Sequence, residues 1–163
     1  MEIAARMPMA VQPAAVAEFL AARRIVVAGV SRSGQAPANA ILRRLRDAGH
    51  DVVPVNPKAA AVEGVACFAS IAAVPGEIEA LMVVTHPDAA PGVVRDALAR
   101  GVRRIWFHRS VGDGSVSAEA VTACRAAGVE PIVGGCPLMY VAPIDPFHRA
   151  MRACLGLVGR VPT

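Results

Sequence analysis

Aromatic side chains are scarce in this chain, at 4% of residues. They form no stacking platform for single-stranded nucleic acid, and no basic tail accompanies them. The run "RRLRD" at 43–47 is therefore read as the wet side of an amphipathic helix, and no nucleic-acid partner is expected. No apolar run reaches membrane-spanning length, so no membrane partner is expected either. The start, "MEIAARMPMAVQP", lacks the apolar stretch that a secretory signal needs, which makes the cytoplasm the expected address. Cys67, Cys124, Cys136 and Cys154 form no C-x-x-C pair, and their spread argues against a disulfide framework. No G-K-[ST] occurs, so there is no P-loop. "GVSRS" lacks the closing glycine of a nucleophile elbow, so Ser31 is a poor hydrolase nucleophile.

What is present is apolar and alternating. The chain has 163 residues, 55% of them hydrophobic, enough for one domain with a core. Residues 13–22 read as a leading helix, and "RRIVVAGV" as a first buried strand at about 24–30. Ile41, Leu42 and Leu45 mark an amphipathic helix over 37–48. "HDVVPVNP" is a second strand, with Pro54 marking it as an edge or bulged strand. "EALMVVT" is a third strand. Its helix is expected to start at Thr85, with Asp88 completing a capping-box-like pair, and to run to Arg100. "VRRIWFH" and "VEPIV" are fourth and fifth strands around the helix "SVSAEAVTACRAAG". This alternation predicts an α/β fold: a Rossmann-like, doubly wound three-layer sandwich with about five parallel strands. The expected division is a helical lead-in at 1–22, the Rossmann-like domain at 23–140, and a tail at 141–163 with a closing helix packed on the same domain.

Between the first strand and its helix lies "GVSRSG". Gly29, Ser31 and Gly34 stand where G-x-G-x-x-G would place three glycines. Backbone N–H groups at such a turn suit a pyrophosphate, and Ser31 and Ser33 add hydroxyl donors. A serine in the middle places a side chain where a dinucleotide's pyrophosphate comes closest, which argues against the standard dinucleotide pose. After the second strand, an NAD site wants Asp or Glu on the ribose hydroxyls. Here "NPK" stands instead, with Asn56 neutral and Lys58 positive. A lysine attracts a phosphorylated ribose, as in NADP or coenzyme A; a solvated loop lysine is the plain alternative. In the third loop, Thr85, His86 and Pro87 face the same crevice, and His86 lacks an evident partner for acid–base work.

The stretches "IVVAGVSRSGQAPANAILRRLRDAGHDVVPVNPK", "VTHPDAAPGVVRDALARGVRRIWF" and "AEAVTACRAAGVEPIVGGCP" together resemble the small stand-alone CoA-binding-domain proteins. Those share their fold with the CoA-binding domain of the succinyl-CoA synthetase alpha subunit. The resemblance covers roughly 20–140. It implies coenzyme A or an acyl-CoA as ligand, with Gly29, Val30, Ser31, Arg32, Ser33 and Gly34 lining a phosphate loop. It places Asn56, Pro57 and Lys58 at the adenosine and its ribose phosphate. Thr85, His86 and Pro87 would border the nucleotide or pantetheine. Cys136 and Pro137 match the family's closing "C-P", although Gly135 and Leu138 stand where the family carries polar or basic residues.

The expectation is thus a CoA-binding module without catalysis of its own. Its partners would be a CoA-type ligand and either a second copy or another protein. An NADP- or CoA-dependent enzyme, or a partner-binding protein with an unused pocket, are the alternatives. Cys136 reads either as a thiol near the ligand or as a buried structural one.

Overall fold

Residues with no polar atoms to satisfy fill the middle of the molecule, and their alternation decides which face each one serves. The computed structural model describes residues 12–162. In chain order the elements are α1 (Ala14–Leu20), β1 (Arg24–Ala28), α2 (Pro37–Asp47), β2 (Asp51–Val55), a hairpin of β3 (Ala61–Val62) and β4 (Val65–Ala66), and β5 (Ala80–Val83). There follow α3 (Ala90–Ala99), β6 (Arg104–Phe107), α4 (Ala118–Ala126), β7 (Ile132–Val133), a 3-10 turn (Pro137–Met139) and α5 (Pro146–Leu157).

Five parallel strands form the main sheet in the order β2-β1-β5-β6-β7. The period-two alternation sends Ile25, Val27, Met82 and Trp106 into one core with Phe19, Ile41 and Leu45. It sends Val26, Leu81, Ile105 and Phe107 into the other, with Val94, Ala97 and Cys124. Both faces are covered, which is why the strands are apolar runs rather than alternating ones. The doubly wound three-layer arrangement is as expected from the sequence.

Pro54 is explained by its place at the sheet edge. Its carbonyl accepts the Phe68 N–H at 3.1 Å on the outer side of β2, so its missing N–H also falls on that side and costs the ladder nothing.

The helix after β5 begins later than the sequence pattern indicates. α3 starts at Ala90, and Pro91 sits in its first turn. A start at Thr85 would put Pro91 in the helix interior, where it lacks a donor and collides with the preceding turn, at a cost of about 3 kcal/mol. The expected Thr85–Asp88 capping pair therefore does not form. Residues 86–90 make a turn instead, with Ala89 N–H on the His86 carbonyl and Ala90 N–H on that of Pro87.

The chain beyond 136 returns to the first core. Met139, Tyr140 and Val141 are buried there, and Met151 and Leu155 of α5 pack against it. Arg44 donates to the Val141 carbonyl at 2.9 Å and also to that of Pro143. Arg152 stacks over the Tyr140 ring at 4.4 Å, a cation–π contact.

Candidate functional site

In a sheet of this order, the loops after β1 and β5 leave in opposite directions, and the crevice between them is where ligands bind. Gly29 opens the first loop at φ +101°. A Cβ there would stand 2.4 Å from the Val84 carbonyl oxygen and 2.8 Å from the Thr85 nitrogen. Only glycine lets the two loops lie against each other in this way.

The rest of the first loop is held from below. Asn39 of α2 is fully buried; its Oδ1 accepts the Ser31 N–H at 2.7 Å, and its Nδ2 donates to the Ser31 carbonyl at 2.8 Å. Nδ2 also donates to Glu63 Oε1 at 3.0 Å. Arg43 reaches the same Oε1 at 2.6 Å and the Gly34 carbonyl at 3.2 Å. The Asn39 hydrogen bond, aided by Arg43, lowers the Glu63 pKa, so this carboxylate stays charged behind the loop. Glu63 arrives there because Glu63 and Gly64 form the β3–β4 turn with both φ positive, +53° and +77°, the geometry a two-residue hairpin demands.

These supports were not identified in the sequence. An asparagine inside a helix and an E-G pair between two valines were the available signals. Ser31 and Ser33 hydroxyls lie 2.9 Å apart. Since one donates to the other, one hydroxyl hydrogen remains for a ligand.

Asn56 has a structural reason for not being an acid. Its Nδ2 donates to the Val30 carbonyl at 2.7 Å, while its Oδ1 accepts the Lys58 N–H at 2.7 Å. A carboxylate, acceptor only, would repel the Val30 carbonyl. Asn56 thereby ties the second loop to the first. Lys58 and Pro57 are exposed beside it, and Lys58 forms no ion pair among the described residues.

Two cavities meet at this point. One, of about 550 Å³, is lined by Ser31, Arg32, Ser33, Asn56 and Lys58. The other, of about 500 Å³, is mostly apolar and runs past Val30, Pro57, Ile71, Thr85, His86 and Val93 toward α3. Asn56 and Lys58 border both. A cationic, hydroxyl-rich bowl thus opens onto an apolar trough, a pairing that suits a ligand with phosphates at one end of a flat ring. A third cavity, by Glu18, Arg103 and Glu130, lies at the amino ends of the strands, away from the crevice.

Gly34, Pro87 and Cys136 line neither of the two cavities at the crevice. Gly34 faces Glu63, whose Oε1 would lie 3.3 Å from a Cβ. Cys136 is 3% exposed in the first core, and burial pushes its thiol up to about 11. A thiol protonated at neutral pH is a poor nucleophile. His86 Nδ1 lies 3.3 Å from an Asp88 carboxylate oxygen on the surface, and Thr85 Oγ1 is buried without a partner. No group of three or more His, Cys, Asp or Glu able to hold a metal occurs among the described residues.

His108, just beyond β6, is 7% exposed, and burial lowers its pKa from 6.5 to about 4. Unfolded, it takes a proton near pH 6.5; folded, it resists until about pH 4. Its contribution to stability is therefore intact above pH 6.5 and is lost as pH falls from 6.5 toward 4, by about 3 kcal/mol in all. Urea unfolding at several pH values should show this loss, and His108→Gln should remove most of it. Equal pH slopes for the two proteins would refute it.

The model of the family described as "CoA binding domain" matches residues 23–142, most of the chain. The chain belongs to the CoA binding domain family. The Bacillus subtilis (strain 168) protein YneT is 27% identical over 114 residues, 70% of this chain and 82% of YneT. Among solved structures, a hypothetical protein from Pyrococcus horikoshii OT3 superposes with a TM-score of 0.69 at 26% identity, covering 77% of this chain and 91% of that one. A conserved hypothetical protein from Pyrococcus furiosus gives 0.63 at 30% identity, covering 71% and 96%. The dinucleotide forming acetyl-coenzyme A synthetase 1 of Ca. Korarchaeum cryptofilum gives 0.58 at 25% identity, covering 68% of this chain and 26% of the synthetase. The CoA binding domain as matched ends at 142, so α5 lies outside it. No described helix is long and apolar enough to cross a membrane.

Proposed function

We propose that this CoA binding domain protein takes coenzyme A or an acyl-CoA at the crevice between the loops after β1, β2 and β5, as a binding module rather than a catalyst. The observation that carries this reading is the junction of the two cavities at Lys58. The ligand's pyrophosphate lies over the Ser31–Gly34 loop at the start of α2, whose N-terminus carries no side-chain cap to compete with an anion. Lys58 and Arg32 meet the ribose 3'-phosphate, and the adenine enters the apolar trough. The protonated, buried Cys136 and the surface pairing of His86 with Asp88 support a role in binding without chemistry.

Calorimetry on the ligand-free protein tests the reading. CoA should bind, and dephospho-CoA, lacking the 3'-phosphate, should bind at least about tenfold more weakly, as befits loss of a charge-assisted contact. Lys58→Ala should remove most of that difference. Equal affinity for the two ligands would end the ribose-phosphate assignment. Binding of NADP with no response to CoA would make Lys58 a 2'-phosphate reader. Silence with CoA, acetyl-CoA, NADP and NAD would favour a partner-binding role with an unused pocket.

A further inference from the structure

The described residues expose four large hydrophobic side chains: Val111, Phe147, Leu157 and Val158. Three of them stand on α5 or its C-cap, and Leu157 is 89% exposed. The helix turns His148, Met151, Arg152 and Leu155 toward its own core. Away from the core it exposes Phe147, Ala150, Ala153, Cys154, Leu157 and Val158, an apolar strip flanked on one side by the exposed Arg149. A single face this apolar on a water-soluble domain marks an interaction surface.

The exposure does not come from a loose helix. Arg44 anchors the chain just before α5. Just after it, the Arg160 carbonyl rests on Gly134, where a Cβ would come within 2.5 Å, and Pro162 packs on Gly135. The Asp145 carboxylate caps the first turn by accepting the His148 N–H at 3.0 Å. The apolar face is thus held ready, with little ordering cost on association.

We propose that this face pairs with the same face of a second copy of the chain, helix against antiparallel helix, about a two-fold axis near Arg152. The pattern is its own complement. Phe147, Ala150, Cys154 and Leu157 recur at i, i+3, i+7 and i+10, the spacing of a helix–helix seam. Reversed about position 152, the large Phe147 meets the partner's Leu157, and the small Ala150 meets the partner's Cys154. Small residues at the crossing let the axes approach to about 8 Å while the large ones fill the ends. The antiparallel arrangement also opposes the two helix dipoles favourably. One helix pair makes a small interface, at the low end for a specific complex, so the dimer is expected to dissociate on dilution.

Sedimentation equilibrium of the full chain should report twice the 16.8 kDa chain mass at about 100 μM, dissociating on dilution. Leu157→Glu should yield a monomer of unchanged melting temperature, since Leu157 makes little contact within its own fold. Cys154 is the one exposed cysteine, Cys67, Cys124 and Cys136 being buried. Across the proposed seam the two Cys154 side chains are offset along the helices by about 6 Å. A short bismaleimide should therefore link wild-type chains into dimers and fail on Cys154→Ser. A wild-type monomer at about 100 μM overturns the proposal, as does a dimer that survives Leu157→Glu. A monomer that instead binds anionic vesicles through this helix overturns it in favour of a membrane surface.

Discussion

Gly29→Ala is expected to cost about 4 kcal/mol, and the variant should lose CoA binding or fail to accumulate as a folded protein. Two terms add. The backbone at φ +101° is one that side-chain-bearing residues rarely adopt. The new methyl would also meet the Val84 carbonyl oxygen at 2.4 Å and the carbonyl carbon at 2.6 Å, so β1 and β5 would have to separate at their carboxyl ends. Gly49 separates the terms. It has nearly the same φ, +98°, yet nothing lies within 4 Å of its hypothetical Cβ. Gly49→Ala should therefore cost only the conformational part, about 1 kcal/mol. Urea denaturation of both variants makes the comparison. Equal losses would show that the close approach of the two loops is not what Gly29 provides.

Asn39→Ala should lower stability by about 3 kcal/mol and weaken CoA binding about tenfold or more. The substitution removes three hydrogen bonds at a fully buried position. It leaves the Ser31 N–H without its partner and the Ser31 carbonyl with only the long 3.4 Å bond from the Gly34 N–H, and it withdraws the main support that keeps Glu63 charged. Asn39→Asp keeps the acceptor for Ser31 but places a second carboxylate beside Glu63, so it should be at least as damaging. The readout that distinguishes positioning from mere stability is calorimetry well below the melting temperature. If Asn39→Ala is destabilised yet binds CoA as tightly as wild type, the loop does not need this clamp. The same experiment is silent on Lys58, whose substitution should change affinity with little change in stability, because its side chain is exposed.

Both predictions turn on residues of different legibility. Gly29 was readable: a glycine closing an apolar run and preceding an amphipathic helix signals a turn at the carboxyl edge of a sheet. Asn39 was not, because its partners Ser31 and Glu63 lie 8 and 24 residues away. Likewise the sequence shows Asn56 only as a residue without charge, whereas in the fold its amide bridges two loops. Cys136 had two readings from sequence, and packing against Met139 and Tyr140 placed it in the core.

By itself, the sequence determined the alternation of strand and helix, that the Pro54 strand is an edge or a bulged one, and the glycine–serine loop followed by a lysine after the second strand. These follow from local terms: the spacing of apolar residues, the restricted backbone of proline and the freedom of glycine. Tertiary structure alone decided that Glu63 and Arg43 brace the loop, that α3 begins at Ala90, and that Phe147 and Leu157 of α5 face outward while Met151 and Leu155 face in. Those outcomes depend on where distant segments come to rest, and amphipathic spacing along one helix cannot say which of its apolar residues its own core will cover.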